Sequence, residues 1–173
     1  MAQRPNPTRL EETLESWRGV REGLMAEVRL VPADRFDFRP APGTRSVREL
    51  VQHILEFASI MTGELTRPDA NLMRAPWPKM IRKYGGSVAR AKTKRELLAL
   101  LASQIEDAER KFREPGELSL LQLMTYFNGR PGTRYEWWHH GIAHEEYHRG
   151  QLALYVRMLG LVPALTRLIE GSD

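Results

Sequence analysis

Cysteine is absent from this chain of 173 residues. Disulfide bonds, thiolate metal sites and catalysis by a thiol of the protein itself are therefore excluded. Any metal ion that the protein binds must be held by nitrogen and oxygen ligands. A reaction that uses a sulfur nucleophile would need a thiol supplied by a second molecule.

The sequence also lacks a hydrophobic run close to the roughly 20 residues that a membrane-spanning helix needs. Its first residues, MAQRPNPTRLEE, contain no apolar stretch of the kind found in secretory signals. We therefore expect a cytoplasmic protein that does not associate with membranes. Its 42% hydrophobic and 28% charged residues are typical of a globular protein, and we assign residues 1–173 to a single domain.

The chain has little excess of charge of either sign, with a net charge of +4 and a pI of about 9.6. Its densest basic stretch, residues 82–96, lacks the interleaved aromatic side chains of a surface that stacks on nucleic-acid bases. We interpret this stretch as a solvated loop, with contact to an anionic ligand or nucleic acid as the alternative. Nucleic acid is therefore the weakest candidate partner.

Four segments carry a helix-start pattern, in which Ser or Thr is followed three residues later by Glu. Each of the four precedes a run with apolar residues at helical spacing, as in Leu50, Ile54, Phe57 and Met61. A fifth pattern, Ser119 with Gln122, predicts a short helix between the last two long ones. The four strong patterns are Thr8/Glu11, Ser46/Glu49, Thr93/Glu96 and Thr133/Glu136.

These patterns predict four long helices of about 20 to 27 residues, each ended by Pro or Gly. Packing four apolar stripes together gives an all-α protein, a four-helix bundle. The links are unequal, because residues 66–92 and 114–132 are much longer than a hairpin connection requires. We therefore expect long crossover connections between the helices.

Histidines provide the strongest functional pattern. His144 and His148 stand four apart on the apolar stripe of the last long helix, so their imidazoles lie side by side. Two readings remain open: core histidines bonded to polar groups, or two ligands of a divalent metal ion. His53, on the second long helix, is the candidate third ligand, and His140 is a candidate fourth ligand or a neighbour of the site.

Residues around these histidines suggest supporting roles. A carboxylate such as Glu56 or Glu145 could accept a hydrogen bond from a ligand imidazole. A di-iron site is excluded, because the chain has no Glu-x-x-His motif on a second pair of helices. Gln151 lies one turn beyond His148 and can reach a ligand or a substrate.

The two residues between His148 and Gln151 have structural interpretations. Arg149 is expected to pair with Glu145 one turn before it. Gly150 is expected to allow close approach of a neighbouring helix.

Three segments resemble the DinB family, also called the DinB/YfiT-like metalloenzymes. They are RPAPGTRSVRELVQHI (39–54), TYFNGRPGTRYEW before the last long helix, and HEEYHRGQLALYVRMLG (144–160), and the resemblance covers residues 8–165. It implies a bundle of DinB/YfiT-like topology that forms homodimers. It also implies a divalent metal ion, nickel or zinc, held by His53, His144 and His148.

Family members include transferases that use low-molecular-weight thiols and a maleylpyruvate isomerase that depends on glutathione or mycothiol. The resemblance therefore implies a metal-dependent S-transferase acting on a small-molecule substrate. A metal-dependent hydrolase and a non-catalytic metal-binding bundle, serving stress response or partner contacts, are the alternatives. A catalytic centre requires a solvent-accessible pocket beside the three histidines, whereas a structural site is closed by a fourth protein ligand.

Overall fold

A computed structural model describes residues 8–171 as seven α-helices, two short 3₁₀ helices (Ala33–Arg35 and Glu117–Leu121) and one short hairpin. The four long helices are α1, α2, α5 and α6, and they match the four predicted segments. The helices are α1 (Arg9–Leu30), α2 (Val47–Leu65), α3 (Trp77–Tyr84), α4 (Gly86–Arg90), α5 (Lys94–Arg113), α6 (Arg134–Met158) and α7 (Ala164–Glu170). The strands are β1 (Leu123–Thr125) and β2 (Pro131–Thr133).

All four predicted helix starts are confirmed. The hydroxyl oxygens of Thr8, Ser46, Thr93 and Thr133 each accept a hydrogen bond from the backbone N–H three residues later. At Ser46 and Thr93 the glutamate also bonds back to the backbone of the cap, which completes the reciprocal pattern. These caps satisfy backbone donors that have no partner inside the helix.

The long helices form the predicted bundle. Helix α6 packs against α1 and α2, and α5 packs against the same two helices from the other side. The apolar stripes of α1, α2 and α5 are buried along their length, so the core runs through the centre of the bundle. One half of it is aromatic, because Phe112 stacks on Trp138 at 4.1 Å and Trp17 meets Trp138 edge-on at 6.0 Å.

A buried ion pair crosses this core between α1 and α6. The guanidinium of Arg21 donates to both carboxylate oxygens of Glu145, with Nε to Oε2 at 2.8 Å, and also to Gln104 on α5. The indole N–H of Trp17 donates to the same carboxylate at 2.9 Å. Both charged side chains are 1% exposed, and their hydrogen bonds offset the cost of burying them.

The prediction that Arg149 pairs with Glu145 is wrong, because the carboxylate of Glu145 is bonded to Arg21 instead. Glu145 faces α1, and Arg149 instead approaches Glu146 at 3.4 Å. The Arg149 guanidinium lies across Gly23, where a Cβ atom would come within 2.4 Å of it. The close-approach role predicted for Gly150 is also wrong, since a Cβ there would meet open space.

The two long links contain structure that the sequence did not predict. Residues 66–92 contain α3 and α4, which pack on α2. In the link 114–132, Ser119 does not start an α-helix. It lies inside a 3₁₀ helix, Glu117–Leu121, and the chain then enters the β1–β2 hairpin, with Met124 opposite Gly132. The hairpin runs directly into α6.

Helix α7 follows α6 and was not predicted either. The buried carboxylate of Glu27 on α1 accepts hydrogen bonds from the backbone N–H groups of Ala164 and Leu165 at the start of α7. Across residues 8–171, none of the helices combines the length and the apolar character needed to cross a bilayer.

Candidate metal centre

Three imidazoles meet between α2 and α6. His53 Nε2 lies 3.1 Å from His144 Nε2, which lies 3.1 Å from His148 Nε2. The helical spacing places His144 and His148 side by side on α6, and the packing of α2 against α6 brings His53 to them. The structure therefore brings the three residues named from the sequence together, and they form a group that could hold a metal ion.

Two of the separations among the three nitrogens suit ligands of a shared divalent cation. Metal–nitrogen bonds of about 2.0–2.1 Å place neighbouring ligand nitrogens roughly 2.9 Å apart in octahedral geometry and roughly 3.4 Å apart in tetrahedral geometry. The two observed separations of 3.1 Å fall between these limits. The donor set is also suitable, because neutral imidazole nitrogen binds zinc and nickel well.

Hydrogen bonding alone does not explain why the nitrogens converge. Gln151 Oε1 lies 2.8 Å from His148 Nδ1, and because this oxygen is an acceptor, Nδ1 carries the proton. His148 Nε2 therefore presents a lone pair. His144 Nε2 cannot donate to both of its neighbours with one proton, so at least one of the two 3.1 Å contacts lacks a hydrogen bond when all rings are neutral. A cation would satisfy all three lone pairs.

Electrostatics keep the imidazoles uncharged at neutral pH. Burial lowers the pKa of His53 to about 4 and that of His144 to about 3, and it lowers the pKa of His148 as well. Part of this lowering of all three pKa values comes from the positive charge of Arg45, just before α2. Neutral imidazoles compete well for a metal ion, because protons do not occupy their lone pairs. Arg45 was not predicted to affect the site, since no local pattern links it to α6.

The supporting residues differ from those expected. Gln151, not a carboxylate, orients His148. Glu145 belongs to the core ion pair, and Glu56 makes no hydrogen bond to an imidazole within the described part of the chain, although burial raises its pKa. His144 Nδ1 is buried and has no hydrogen-bond partner among residues 8–171.

His140 is not part of the three-histidine group. It is exposed and stacks on Trp137 at 4.4 Å, one turn before His144. Of the two roles considered for it, fourth ligand or neighbour of the site, the structure favours the second.

An open cleft of about 400 Å³ adjoins the centre. His53 and His144 form part of its wall, so the group is accessible from solvent on this side. Phe57 stacks on His144 at 3.9 Å, and Trp77 from α3 and Phe127 from the hairpin turn complete the lining together with His140. Trp77 and Phe127 come from the two links and carry no periodic pattern, so the sequence did not identify them.

Comparisons with known proteins agree with this architecture. The DinB family profile matches residues 1–170. A DinB-like protein of Bacillus subtilis is 21% identical, with a TM-score of 0.67 over 86% of this chain and 92% of that one. A protein of Exiguobacterium sibiricum described as a DinB family member is 21% identical, with a TM-score of 0.65 over 90% of this chain and 95% of that one.

A variant of a mycothiol-dependent maleylpyruvate isomerase has the same fold. It is 17% identical, with a TM-score of 0.65 over 84% of this chain and 61% of that one. At these identities the likeness concerns the fold alone. No curated protein sequence matches the chain.

Proposed function

Because the chain belongs to the DinB family, we propose that it binds one divalent metal ion, nickel or zinc, through His53, His144 and His148. We propose further that it is a transferase that uses a low-molecular-weight thiol. The observation that carries the proposal is the convergence of three imidazole Nε2 atoms at the wall of an open cleft. The shared fold of a mycothiol-dependent enzyme supports the choice of a thiol as cosubstrate.

A bound divalent cation would supply the positive charge that keeps a sulfur atom as thiolate at neutral pH. The residues of the chain hold and orient the ligand rings. Gln151 fixes the Nδ1–H form of His148, and Phe57 supports the ring of His144 from one face. The thiol comes from solution, since the chain has no cysteine. It loses its proton to water, and its sulfur forms a bond to an electrophilic carbon of the second substrate while the bond from that carbon to a leaving group breaks. The leaving group departs into solution with the bonding electron pair.

Access of solvent to the metal ion distinguishes a catalytic metal site from a structural one. A structural site has four protein ligands, whereas this group has three within the described residues, and two of them line the cleft. This favours a reactive centre over a non-catalytic metal-binding bundle. A metal-dependent hydrolase is the second candidate, because the same open cleft admits water.

Metal analysis of the purified, untagged protein tests the ligands. We expect about one divalent ion per chain in the wild type, a loss of that ion in His148→Ala, and full retention in His139→Ala. His139 is the matched control because it lies on the same helix, is exposed and is outside the group. Absence of metal from the wild type after incubation with nickel and zinc would refute the proposal.

Titration of the cobalt-substituted protein with small thiols then distinguishes the two catalytic candidates. A sulfur-to-cobalt absorption band that grows with thiol concentration supports the transferase. If no thiol changes the spectrum, the hydrolase becomes the better assignment.

We also propose a homodimer, as the family resemblance implies. Four large apolar side chains near the end of α6 and on α7 are each more than half exposed: Leu154, Met158, Leu168 and Ile169. Light scattering on the purified protein would give the mass. Leu168→Glu is expected to produce a monomer if this surface is the interface.

A further inference from the structure

The cleft beside the three histidines is lined by rings and has no charged side chain among the described residues. Its lining has no carboxylate, ammonium or guanidinium group among the described residues, and its polar side-chain atoms are ring nitrogens. Four of its walls are flat rings other than the two candidate ligands: Phe57, Trp77, Phe127 and His140. Apart from the ring nitrogens and the proposed metal ion, a charged or strongly hydrated ligand group would lose its water there without finding partners.

The rings form two groups that approach each other, with the centroids of Phe57 and His140 6.1 Å apart, and we call the aromatic opening that they border the slot. On one side, Phe57 stacks on His144 with the ring planes 17° apart, and Trp77 lies next to Phe57 at 5.7 Å. On the other side, Trp137 supports both His140 at 4.4 Å and Phe127 at 5.1 Å. Buried packing behind Phe57 and Trp137, which are both at most 7% exposed, fixes the two sides. The volume of about 400 Å³ is within the range of small-molecule sites.

We propose that the substrate carries a neutral, planar group, aromatic or conjugated, which fills this slot and places its reacting carbon beside the Nε2 atoms of His53 and His144. The inference rests on the proposed function, since it names the class of electrophile for the same centre. Stacking on aromatic faces explains the selectivity for flat groups. The open end of the cleft leaves room for substituents of any kind.

A larger cavity elsewhere in the described residues does not compete for this role. It has a volume of about 550 Å³ and lies between α2, α5 and the α3–α4 link. None of the three histidines lines it, and its polar groups Ser59 and Gln104 are already bonded to each other and to the backbone. A substrate bound there would not reach the candidate metal ligands.

Calorimetric titration with 2-naphthol, which is planar and uncharged at pH 7, tests the inference. Cyclohexanol, which is also neutral but not planar, is the comparison probe. We expect the wild type to bind 2-naphthol with clear preference over cyclohexanol. Phe127→Ala should weaken 2-naphthol binding about three- to tenfold, the effect of losing one aromatic contact. Phe127 is more than half exposed, so its removal should not unfold the protein.

The matched control is Leu123→Ala, an exposed apolar residue on the same hairpin but outside the cleft. It should leave the affinity unchanged. Failure of 2-naphthol to bind, equal binding of cyclohexanol, or an unchanged affinity in Phe127→Ala would each overturn the inference.

The metal-free protein and His148→Ala keep the test separate from the metal proposal. Neither Phe127 nor Trp77 depends on a metal, so 2-naphthol should bind to both of these forms. A wild type that takes up no nickel or zinc but binds 2-naphthol would contradict the metal proposal and leave the inference about the cleft intact. A wild type that binds metal but does not bind 2-naphthol would contradict the inference about the cleft and leave the metal proposal intact.

Discussion

Replacing Gln151 with leucine should weaken metal binding without removing a ligand. Gln151 Oε1 lies 2.8 Å from His148 Nδ1 and holds the proton on that nitrogen, which leaves Nε2 free for the metal. Leucine has a similar size but no acceptor. His148 is 6% exposed, so its Nδ1–H would be left without a partner, at a cost of about 1–3 kcal/mol. Loss of an outer hydrogen bond typically costs about 10- to 100-fold in metal affinity, or roughly 1.4–2.7 kcal/mol.

Competition for zinc with a chromophoric chelator would measure this change. We expect the dissociation constant of Gln151→Leu to rise by about 10- to 100-fold, in line with the outer hydrogen-bond effect. Gln151→Glu should keep the affinity or increase it, because a carboxylate is a stronger acceptor. The same substitution at an exposed site, Gln122→Leu, is the control. An affinity in Gln151→Leu within about twofold of the wild type would show that the amide does not orient the ligand.

Three further predictions concern the core and the charge around the site. Glu145→Leu leaves Arg21 buried without its partner and should lower the free energy of unfolding by about 3–5 kcal/mol in urea titrations, whereas adding Arg21→Met should recover most of the loss. The metal-free protein should lose stability as pH falls from about 6.5 towards 4, because the unfolded chain binds protons on His53 and His144 at a higher pH than the folded chain does; a flat pH profile would contradict this. Arg45→Gln should raise the pKa of His53 above its value of about 4, since a nearby positive charge is removed, and an unchanged imidazole titration by NMR would refute that cause.

The helices were predictable because their signals are local. A cap such as Ser46 and its partner Glu49 are three residues apart, and each apolar stripe repeats within a single helix. The same locality allowed His144 and His148 to be paired. Placing His53 beside them also required that its helix packs against α6, as it does in this bundle.

The errors came from contacts between distant segments. Glu145 bonds to Arg21, 124 positions away, and nothing near Arg149 reveals that its expected partner faces another helix. In the link 114–132, the Ser119 and Gln122 pattern predicted a short helix that Ser119 does not start. The residues that follow pair with Pro131–Thr133 as a strand. A short segment takes its conformation from its partners, so local patterns are weakest there.

The cleft was not predictable for a related reason. Trp77 and Phe127 come from different links and meet only because both links fold over the same end of the bundle. Neither residue has helical spacing to the histidines. Arg45 likewise acts through space on residues that follow it by eight positions or more.

The four tryptophans form two groups whose fluorescence emission should report two different events. Trp17 and Trp138 lie with Phe112 in the aromatic core, whereas Trp77 lines the cleft and Trp137 supports two of its walls. The neighbours Trp137 and Trp138 point to different surroundings, because consecutive residues project about 100° apart on a helix. Emission from the first pair should respond to loss of the fold, and emission from the second to occupancy of the slot. The two signals can be separated with single Trp→Phe replacements at positions 77 and 138.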